Sequence, residues 1–506
     1  MQPSSGTDTH VAIIGSGFGG LGAAIRLKRA GLDDFVVLER AGAVGGVWRD
    51  NHYPGAACDV PSQLYSFSFA PNPAWSHSYS AQPEIWAYLQ RCADDFGIRP
   101  HIRLNHAVHS ASWDAGAGRW RLATAGGHYS ATVLILAVGA LSAPAIPQLP
   151  GSERFAGAAF HSAGWDHSFD LAGKRVAVIG TGASAIQFVP HIQPLVERLY
   201  LFQRTPPWVL PRLDRPIGAG TQRLFRSMPL AQRARRAWLY ARLELNGIGF
   251  RHPRLMAYAE RSARAHLAAA VADPLLRARL TPSYTIGCKR ILISDDYYPA
   301  VVQPNVELID TGIAEVQAHA IVGGDGATRP IDAMIYGTGF HVTDFPFGKC
   351  VRGRTGQTLA EQWGDSPRAH LGTSVAGFPN LFILQGPHTG LGHTSVLLMI
   401  EAQIDHILGA LRYMARHGLG TIEPRAEAQA AFVAAVDQQM RGTVWVTGGC
   451  ASWYLDRSGH NSTIWPGTTY QFRRRVARFN PREYHTGAPN AQHGPAGRDH
   501  RRRLRV

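Results

Sequence analysis

Glycines spaced for phosphate binding occur near the start of the chain. Gly15, Gly17 and Gly20 follow the apolar residues 11–14 and precede residues 21–30, which are predicted to form a helix. In this pattern the first glycine permits a tight turn, the second lets the backbone approach a pyrophosphate, and the third lets helix and strand pack closely. The N–H groups left unpaired at a helix N-terminus also favour an anion. The stretch therefore predicts a dinucleotide-binding site.

A carboxylate follows this turn at the separation that dinucleotide binding requires. Residues 36–38 are predicted to form the next strand, and Glu39 ends it. A carboxylate about 20 residues after the turn accepts hydrogen bonds from a ribose. The alternative is an ordinary strand–helix–strand turn that ends in an exposed acid. The strand and helix on either side of the glycines favour the cofactor site.

The same arrangement returns later with a different ending. Gly180, Gly182 and Ala185 follow residues 175–179, which are predicted to form a strand. The next predicted strand is followed by Gln203, Arg204 and Thr205, so an arginine stands where the first unit has its carboxylate. An arginine there accommodates a ribose 2′-phosphate, which predicts NADPH over NADH. The alternative is an ordinary surface arginine.

Two dinucleotide sites in one chain indicate a flavin that is reduced by a nicotinamide cofactor. A disulfide reductase would need a redox-active C-x-x-C beside the flavin, and the sequence contains no C-x-x-C. The electrons therefore go to oxygen, to a quinone or to a partner protein.

Composition fits a globular enzyme. No apolar run approaches the ~18 residues that span a bilayer. Residues 1–10 lack the basic start and apolar segment of a signal peptide, so the cytoplasm is the expected location. Five widely spaced cysteines predict reduced, mostly buried thiols and no metal site. The net charge of +15 leaves nucleic-acid binding open, but no aromatic-interleaved basic motif accompanies it.

These patterns predict an α/β chain with two Rossmann-like dinucleotide-binding domains, the NADPH domain being inserted into a discontinuous FAD domain. The FAD-binding domain is assigned to residues 1–143 and 337–483, and the NADPH-binding domain to residues 144–336. A helical insertion is expected at about 207–285, a mobile loop at about 441–467 and a disordered basic tail at 484–506.

Two longer motifs carry a family resemblance. Residues 155–166 match F-x-G-x-x-x-H-x-x-x-W-[P/D], with His161 and Trp165 at its fixed positions. Residues 45–59 match [A/G]-G-x-W-x(4)-[F/Y]-P-[G/M]-x(3)-D, ending at Asp59. Both are fingerprints of the type I Baeyer–Villiger monooxygenases, which the chain resembles from about residue 11 to about residue 479. These enzymes are related to the flavin-containing monooxygenases.

The resemblance implies a role for each matching residue. Arg290 corresponds to the active-site arginine, with Asp59 oriented against it. Lys289 joins Arg204 and Thr205 around the NADPH 2′-phosphate, and Trp453 resembles the tryptophan of the mobile loop that covers the nicotinamide. His161 and Trp165 are expected in the inter-domain linker, where His161 couples domain motion to cofactor position. The expected cofactor-binding residues are Gly15, Gly17, Phe18, Gly20, Glu39, Arg40, Gly46, Val47, Trp48, Asp59, Tyr65, Gly180, Gly182, Ser184, Ala185, Arg204, Thr205, Lys289, Gly339 and Trp453.

The resemblance also implies a reaction. NADPH reduces FAD, reduced FAD and O₂ form a C4a-peroxyflavin, and this inserts one oxygen atom into a ketone to give an ester or lactone. Negative charge develops during the insertion, and a guanidinium such as that of Arg290 supplies a fixed cation against it. The alternatives are N- or S-oxygenation on the same scaffold, an NADPH oxidase or an electron-transfer reductase. A monomer or homodimer is expected, and the ketone itself is not predicted.

Overall fold

The structure, a computed structural model, describes residues 7–489. The strands are β1 (Thr7–Ile14), β2 (Phe35–Leu38), β3 (Ile102–Arg103), β4 (Val108–Asp114), β5 (Arg119–Thr124), β6 (Gly127–Leu136), β7 (Ala158–His161), β8 (Arg175–Ile179), β9 (Arg198–Phe202), β10 (Val209–Leu210), β11 (Leu292–Ile293), β12 (Val306–Ile309), β13 (Ile313–Gln317), β14 (Ala320–Gly323), β15 (Thr328–Pro330), β16 (Ala333–Tyr336), β17 (Val351–Arg352), β18 (Leu381–Ile383), β19 (Thr421–Pro424) and β20 (Tyr484–Gly487).

The α-helices are α1 (Phe18–Arg29), α2 (Val47–Asp50), α3 (Gln82–Asp95), α4 (Ala185–Ile192), α5 (Ala219–Ser227), α6 (Pro229–Arg251), α7 (Met256–Ala270), α8 (Pro274–Arg279), α9 (Tyr297–Val301), α10 (Leu359–Trp363), α11 (Leu397–His417), α12 (Ala426–Met440), α13 (Val444–Thr447) and α14 (Thr469–Val476). Short 3₁₀ helices span Arg99–His101, Ser152–Arg154, Ser162–Gly164, Pro253–Leu255, Pro346–Cys350 and Pro481–Glu483.

The first sheet is built around β1 and has the order β17-β4-β5-β6-β1-β2-β3, with β18 also paired to β6. β1 is parallel to β2 and β6, and its apolar residues are buried on both faces, as a covered parallel strand requires. The first residues of β6 pair antiparallel with β5, and its last residues pair parallel with β18. Helices α1 and α11 pack together over one face.

The second sheet is entirely parallel, in the order β12-β9-β8-β16-β7. One face packs against α4 and α9, and the other is covered by the small antiparallel sheet β13-β14-β15. Both faces are therefore apolar, which explains why residues 176–179 of β8 and 333–335 of β16 are all Val, Ile, Ala or Met.

The path of the chain confirms the predicted fold class. β1–β6 build the first sheet, β7–β9, β12 and β16 build the second, and β17 and β18 return to the first. One dinucleotide-binding unit is thus inserted into the other. Between β10 and β11, helices α5–α8 form the predicted helical insertion, and α6 joins the first unit where Gln232 Nε2 donates to Gln63 Oε1 at 2.7 Å.

The boundary of the predicted disordered tail is wrong. Tyr484–Gly487 forms β20 and pairs antiparallel with β19, and the ring of Tyr484 is buried. Its hydroxyl lies 2.9 Å from His406 Nε2. Residues 484–489 are therefore part of the fold, whereas the rest of the predicted tail, 490–506, lies outside the described residues. Within residues 7–489, no helix is long and apolar enough to cross a membrane.

Candidate active site

Backbone crowding explains the glycines of the first turn. Gly15 has a φ of +102°, in the region that favours glycine, and a Cβ there would lie 2.5 Å from the carbonyl oxygen of Ala137. A Cβ on Gly20 would lie 1.8 Å from the Gly15 carbonyl oxygen. A Cβ on Gly46 would come within 2.9 Å of the Gly17 Cα. These approaches leave a surface of bare backbone at the start of α1.

The second turn repeats this geometry with one exchange. Gly180 also has a φ of +102°, and a Cβ there would lie 2.6 Å from the carbonyl oxygen of Gly337. The third position is Ala185 rather than glycine. Gly337 stands opposite Ala185 in the place that Ala137 takes opposite Gly20, so no side chain of the facing strand end lies against the Ala185 methyl group. A Cβ on Gly337 would lie 3.2 Å from the Ala185 Cβ.

Glu39 is buried beneath the first turn and fully hydrogen-bonded. Its Oε2 accepts from Ser16 N at 3.0 Å and from Ser16 Oγ at 2.6 Å. Its Oε1 accepts from Ala41 N at 2.9 Å and from Arg49 Nη1 at 3.0 Å. A carboxylate offers about four acceptor positions, so all are in use. The alternative that Glu39 is an exposed acid is wrong.

Two cations of the second unit repel each other, Arg204 just after β9 and Lys289 just before β11. Arg204 is exposed, Lys289 is half-buried, and neither forms a salt bridge within residues 7–489. Lys289 Nζ lies 4.9 Å from the centre of the Tyr284 ring. Burial and then the nearby charge of Arg204 lower the pKa of Lys289. An anion between the two side chains would relieve this repulsion, so the pair suits a phosphate.

Asp59 and Arg290 form a two-pronged ion pair. Arg290 Nε donates to Asp59 Oδ2 at 2.6 Å, and Nη2 donates to Oδ1 at 2.7 Å. Nη1 has only a long contact, 3.5 Å to the carbonyl oxygen of Leu391. The side chains are 28% and 27% exposed, so the pair is sheltered but still open on one side. The guanidinium therefore keeps one donor group for a ligand.

The ionisation of this pair is fixed by its geometry. Burial alone would raise the pKa of Asp59, but the charge and hydrogen bonds of Arg290 outweigh it and lower that pKa. The charge of Asp59 in turn raises the pKa of Arg290, against the effect of burial. Tyr454 is buried nearby, and burial raises its pKa to about 12. The pair is charged and the phenol neutral across the physiological range.

A cavity of about 1080 Å³ joins these groups and has walls from both units. Predicted site residues that line it are Val47, Trp48, Asp59, Tyr65, Gly180, Gly182, Ser184, Arg204, Thr205, Lys289, Arg290, Gly339 and Trp453. Predicted site residues outside its lining are Gly15, Gly17, Phe18, Gly20, Glu39, Arg40, Gly46, Ala185, His161 and Trp165. The cavity therefore reaches the second glycine turn. Toward the first unit it ends at Val47 and Trp48 and does not reach the first glycine turn.

The residues outside the lining have structural contacts of their own. Phe18 packs edge-on against Tyr65 with ring centres 5.2 Å apart. Arg40 is exposed and donates to Asp50 Oδ2 at 3.1 Å. Trp165 is buried among Tyr53, Phe160 and Phe188, so it joins the loop before Asp59 to the core of the second unit.

His161 is not in a free linker. It is the last residue of β7, in register with Tyr336 of β16. The residue is buried, and its Nδ1 accepts a hydrogen bond from Ala163 N at 3.1 Å. Its ring packs edge-on against Phe340 at 5.4 Å. The histidine therefore belongs to the edge strand of the second sheet, and its role in coupling domain motion to cofactor position stays a prediction.

Comparisons with known proteins agree with this geometry. Residues 12–212 match the family model for pyridine nucleotide-disulphide oxidoreductases. The chain is 52% identical to a Baeyer–Villiger monooxygenase of Streptomyces coelicolor, over 95% of this chain and 93% of that one. The chain belongs to the Baeyer–Villiger monooxygenase family. The predicted family resemblance is confirmed.

Two solved structures share the whole fold. A steroid monooxygenase bound to NADP superposes with a TM-score of 0.85 at 32% identity, over 95% of this chain and all of that one. The protein OTEMO, in complex with FAD and NADP, superposes with a TM-score of 0.85 at 26% identity, over 96% of this chain and all of that one. The likeness thus extends over both units and the helical insertion.

Sequence reasoning missed a glutamine that holds the two units together. Gln187 lies on α4 of the second unit, and its Oε1 accepts from Tyr53 Oη at 2.9 Å. Its Nε2 donates to the carbonyl oxygen of Ala57 at 3.0 Å. Gln187 thus fixes the loop that delivers Asp59. The signal available in the sequence was its place two residues after Ala185, in the first turn of the helix.

The expectation of reduced thiols is wrong for one pair. Cys288 and Cys450 form a disulfide, whereas Cys58, Cys92 and Cys350 are free. The two bonded residues are 162 positions apart, which is why spacing did not suggest them. The bond joins the residue before Lys289 to the loop at 441–467.

The loop at 441–467 was predicted to be mobile, but most of its large aromatic side chains are buried. Trp445, Tyr454 and Trp465 are buried, and Trp445 stacks on Phe250 of the helical insertion at 5.2 Å. Trp453 alone among the loop's four large aromatic residues is exposed, at 43%, and lines the cavity. Three of these aromatic side chains therefore anchor the loop, and one is presented to a ligand.

Proposed function

We propose that this chain is an FAD-dependent monooxygenase that uses NADPH and O₂ to insert one oxygen atom into a ketone, giving an ester or a lactone. The observation that carries the proposal is the Asp59–Arg290 ion pair, which opens on the cavity between the two units. Membership of the Baeyer–Villiger family supports the reaction type.

The first unit fits FAD. The bare backbone at Gly15, Gly17 and Gly46 leaves room for a pyrophosphate at the start of α1. Glu39 would bind the ribose, with a ribose hydroxyl replacing the Ser16 hydroxyl as its donor. Val47, Trp48 and Tyr65 would flank the ring system where they line the cavity. Further contacts with FAD, or support for the residues that make them, would come from Phe18, Gly20, Arg40 and Gly339.

The second unit fits NADPH. Gly180 and Gly182 would receive the pyrophosphate, with Ser184 and Ala185 at the start of α4. Arg204, Thr205 and Lys289 would hold the 2′-phosphate, because the two cations have no carboxylate partner in the described chain. Trp453 would cover the nicotinamide from the loop. A phosphate there would raise the pKa of Lys289 back toward its ordinary value.

The bound cofactors supply hydride transfer and activation of O₂, and the protein supplies a fixed field. Arg290 remains charged at every working pH, and its Nη1 is the donor that Asp59 does not use. Aimed at the ketone oxygen, it stabilises the negative charge that develops there during insertion. Asp59 acts through Arg290 and is a positioning residue.

The remaining predicted roles rest on packing. His161 and Trp165 lie in the second unit, next to Phe340 and Tyr53, and would transmit small movements of that unit to the cavity wall. We expect a monomeric or homodimeric state. The sequence also predicts a cytoplasmic location, but the Cys288–Cys450 disulfide argues against it, because disulfides are rare in reducing compartments.

The reaction is tested by incubating the purified protein with FAD, NADPH and ¹⁸O₂ and a mixed panel of ketones, amines and sulfides, with products read by mass spectrometry. The expected result is an ester or lactone that carries one labelled oxygen atom. Only N- or S-oxides would establish the other oxygenation reaction, and hydrogen peroxide as sole product across a broad panel would contradict oxygen transfer. Substrate identity follows from which ketones react.

A further inference from the structure

A second cluster of ligand-type side chains lies apart from the cofactor cavity. His388, Asp437 and His460 each offer one ligand atom, and these atoms all lie within 4.8 Å of one another. They come from three segments: the turn after β18, the helix α12, and the loop at 441–467. The Asp59–Arg290 mechanism uses none of them.

His388 is the unexplained member. The residue is completely buried, yet neither ring nitrogen has a hydrogen-bond partner. Its backbone is firmly placed, since its N–H donates to the carbonyl oxygen of Ser462 at 2.8 Å and its φ is +59°. Leaving a buried polar group unpaired costs about 1–3 kcal/mol. A ligand on the ring would remove this cost, and the ring lies 5.8 Å from that of His460, centre to centre.

His460 is already oriented for coordination. Its Nε2 lies 2.7 Å from Asp437 Oδ1. On the other side of the ring, Nδ1 faces Ser366 Oγ at 3.2 Å and Asp456 Oδ2 at 3.6 Å. The Asp456 carboxylate has no exposed surface and accepts from Ser366 Oγ at 2.7 Å. A buried carboxylate behind a histidine is the usual support of a metal-bound imidazole.

We propose that His388, His460 and Asp437 form a binding site for a divalent transition-metal ion of the Zn²⁺ class. Two imidazoles and one carboxylate suit such ions and leave coordination positions for water. A cavity of about 350 Å³, lined in part by Asp437 and His460, gives water and the ion access.

The site requires a small contraction. Ligand atoms about 2.0–2.1 Å from zinc in a tetrahedron lie roughly 3.4 Å apart, so ligand atoms as far as 4.8 Å apart must approach by up to about 1.4 Å. The 2.7 Å contact between His460 Nε2 and Asp437 Oδ1 would open to admit the ion, and both side chains are partly exposed, at 30% and 39%, so they have room to adjust.

The ion ties the loop to the body of the protein. His460 belongs to the same loop as Trp453 and Cys450, whereas His388 follows β18 of the first sheet and Asp437 lies on α12. The loop is thus held by the disulfide at Cys450 and by the metal site at His460. The metal acts as a structural clamp, and its binding is measurable without any enzymatic turnover.

The test measures metal binding to tag-free, chelator-treated holoenzyme, with Zn²⁺ titrated by calorimetry and Co²⁺ used as an absorbing probe. We expect one tight site per chain, visible Co²⁺ bands, and a thermal midpoint that rises with Zn²⁺ concentration. His388→Asn and His460→Asn should each weaken the affinity at least tenfold and abolish the bands. Asp437→Asn, on a partly exposed helix position, tests the site if the buried variant does not fold.

The matched control is His167→Asn. It removes the half-exposed pair in which His52 Nδ1 lies 2.8 Å from His167 Nε2, another place where two imidazoles meet closely. This control should leave the tight site intact. Loss of the tight site in His167→Asn, or equal Zn²⁺ affinity in the wild type, His460→Asn and Asp437→Asn, would overturn the proposal.

Discussion

The two dinucleotide-binding units share a turn and differ in the residues that come after it. Both turns begin with a glycine at φ +102° under a carbonyl oxygen of a neighbouring strand end. The first unit then buries Glu39 beneath four hydrogen bonds, whereas the second presents exposed Arg204 beside Lys289. The turn is thus dictated by backbone packing, and we expect the preference for a cofactor to be carried by residues outside it. Substitutions in the turns and in the residues that follow them test these two contributions separately.

The largest effect is expected at the third position of the glycine turn, which is Gly20 in the first unit and Ala185 in the second. Gly20→Ala would place a Cβ 1.8 Å from a carbonyl oxygen, so it should destabilise the fold by more than about 4 kcal/mol or abolish FAD binding. Ala185→Gly should cost only about 1 kcal/mol, since the backbone there already has room. Denaturant unfolding and flavin content measure both. Equal costs would break the comparison.

The stability of the first unit should depend on pH through His406, which lies on α11, the helix that packs on α1. Burial lowers the pKa of His406 to about 4, below its ordinary value of 6.5. The unfolded chain binds the proton more readily between these values, so stability is full above pH 6.5 and falls as the pH drops toward 4, by roughly 3 kcal/mol.

Denaturant unfolding at several pH values measures this loss, with His406→Gln as the comparison variant. That variant should show a smaller slope between pH 6.5 and 4. An unchanged slope would mean that His406 is not the group responsible.

The cations of the second unit should control the choice of nicotinamide cofactor. Arg204→Ala and Lys289→Ala should each raise the KM for NADPH roughly 10- to 100-fold, because each removes a charged hydrogen bond worth about 1.5–3 kcal/mol, and should change the KM for NADH little. Lys174→Ala, at an exposed position of the same unit, is the control.

Glu39→Gln provides the reciprocal test in the first unit. It should weaken FAD binding and leave the KM for NADPH unchanged. A raised KM for NADPH in this variant would show that the two sites are not separable in the way that the comparison requires.

The smallest effect concerns the covalent link between the second unit and the loop. Denatured, unreduced protein should show three free thiols per chain, from Cys58, Cys92 and Cys350, and five after reduction. Thiol titration counts them. Five free thiols before reduction would mean that all the cysteines are reduced, as their spacing predicts.

The sequence predicted those parts of the site whose residues lie close together along the chain. Both glycine turns, Glu39 and the Arg204 position follow from residues that lie within one strand–turn–helix unit. The Asp59–Arg290 pair joins residues 231 positions apart, and only the family resemblance indicated it. The pairing of β20 with β19 and the Cys288–Cys450 bond were missed because long-range contacts leave no local pattern.

The contacts made by polar residues on helices could not be predicted from the sequence either. Gln187 reads as an ordinary helical residue, although its amide joins Tyr53 and Ala57 of the other unit. Arg49 likewise gave no sign that it would neutralise Glu39. Whether such a side chain faces solvent or a neighbouring unit depends on how the units pack, which no single motif records.

The most direct test of the central claim measures product formed per NADPH consumed in the wild type and Arg290→Ala, using a ketone that the wild type accepts. The account predicts that the variant still consumes NADPH within about tenfold of the wild-type rate, whereas ester or lactone formation falls by at least about 100-fold and hydrogen peroxide takes its place. Arg290→Lys should lie between them. Undiminished product formation in Arg290→Ala would contradict the role of this guanidinium.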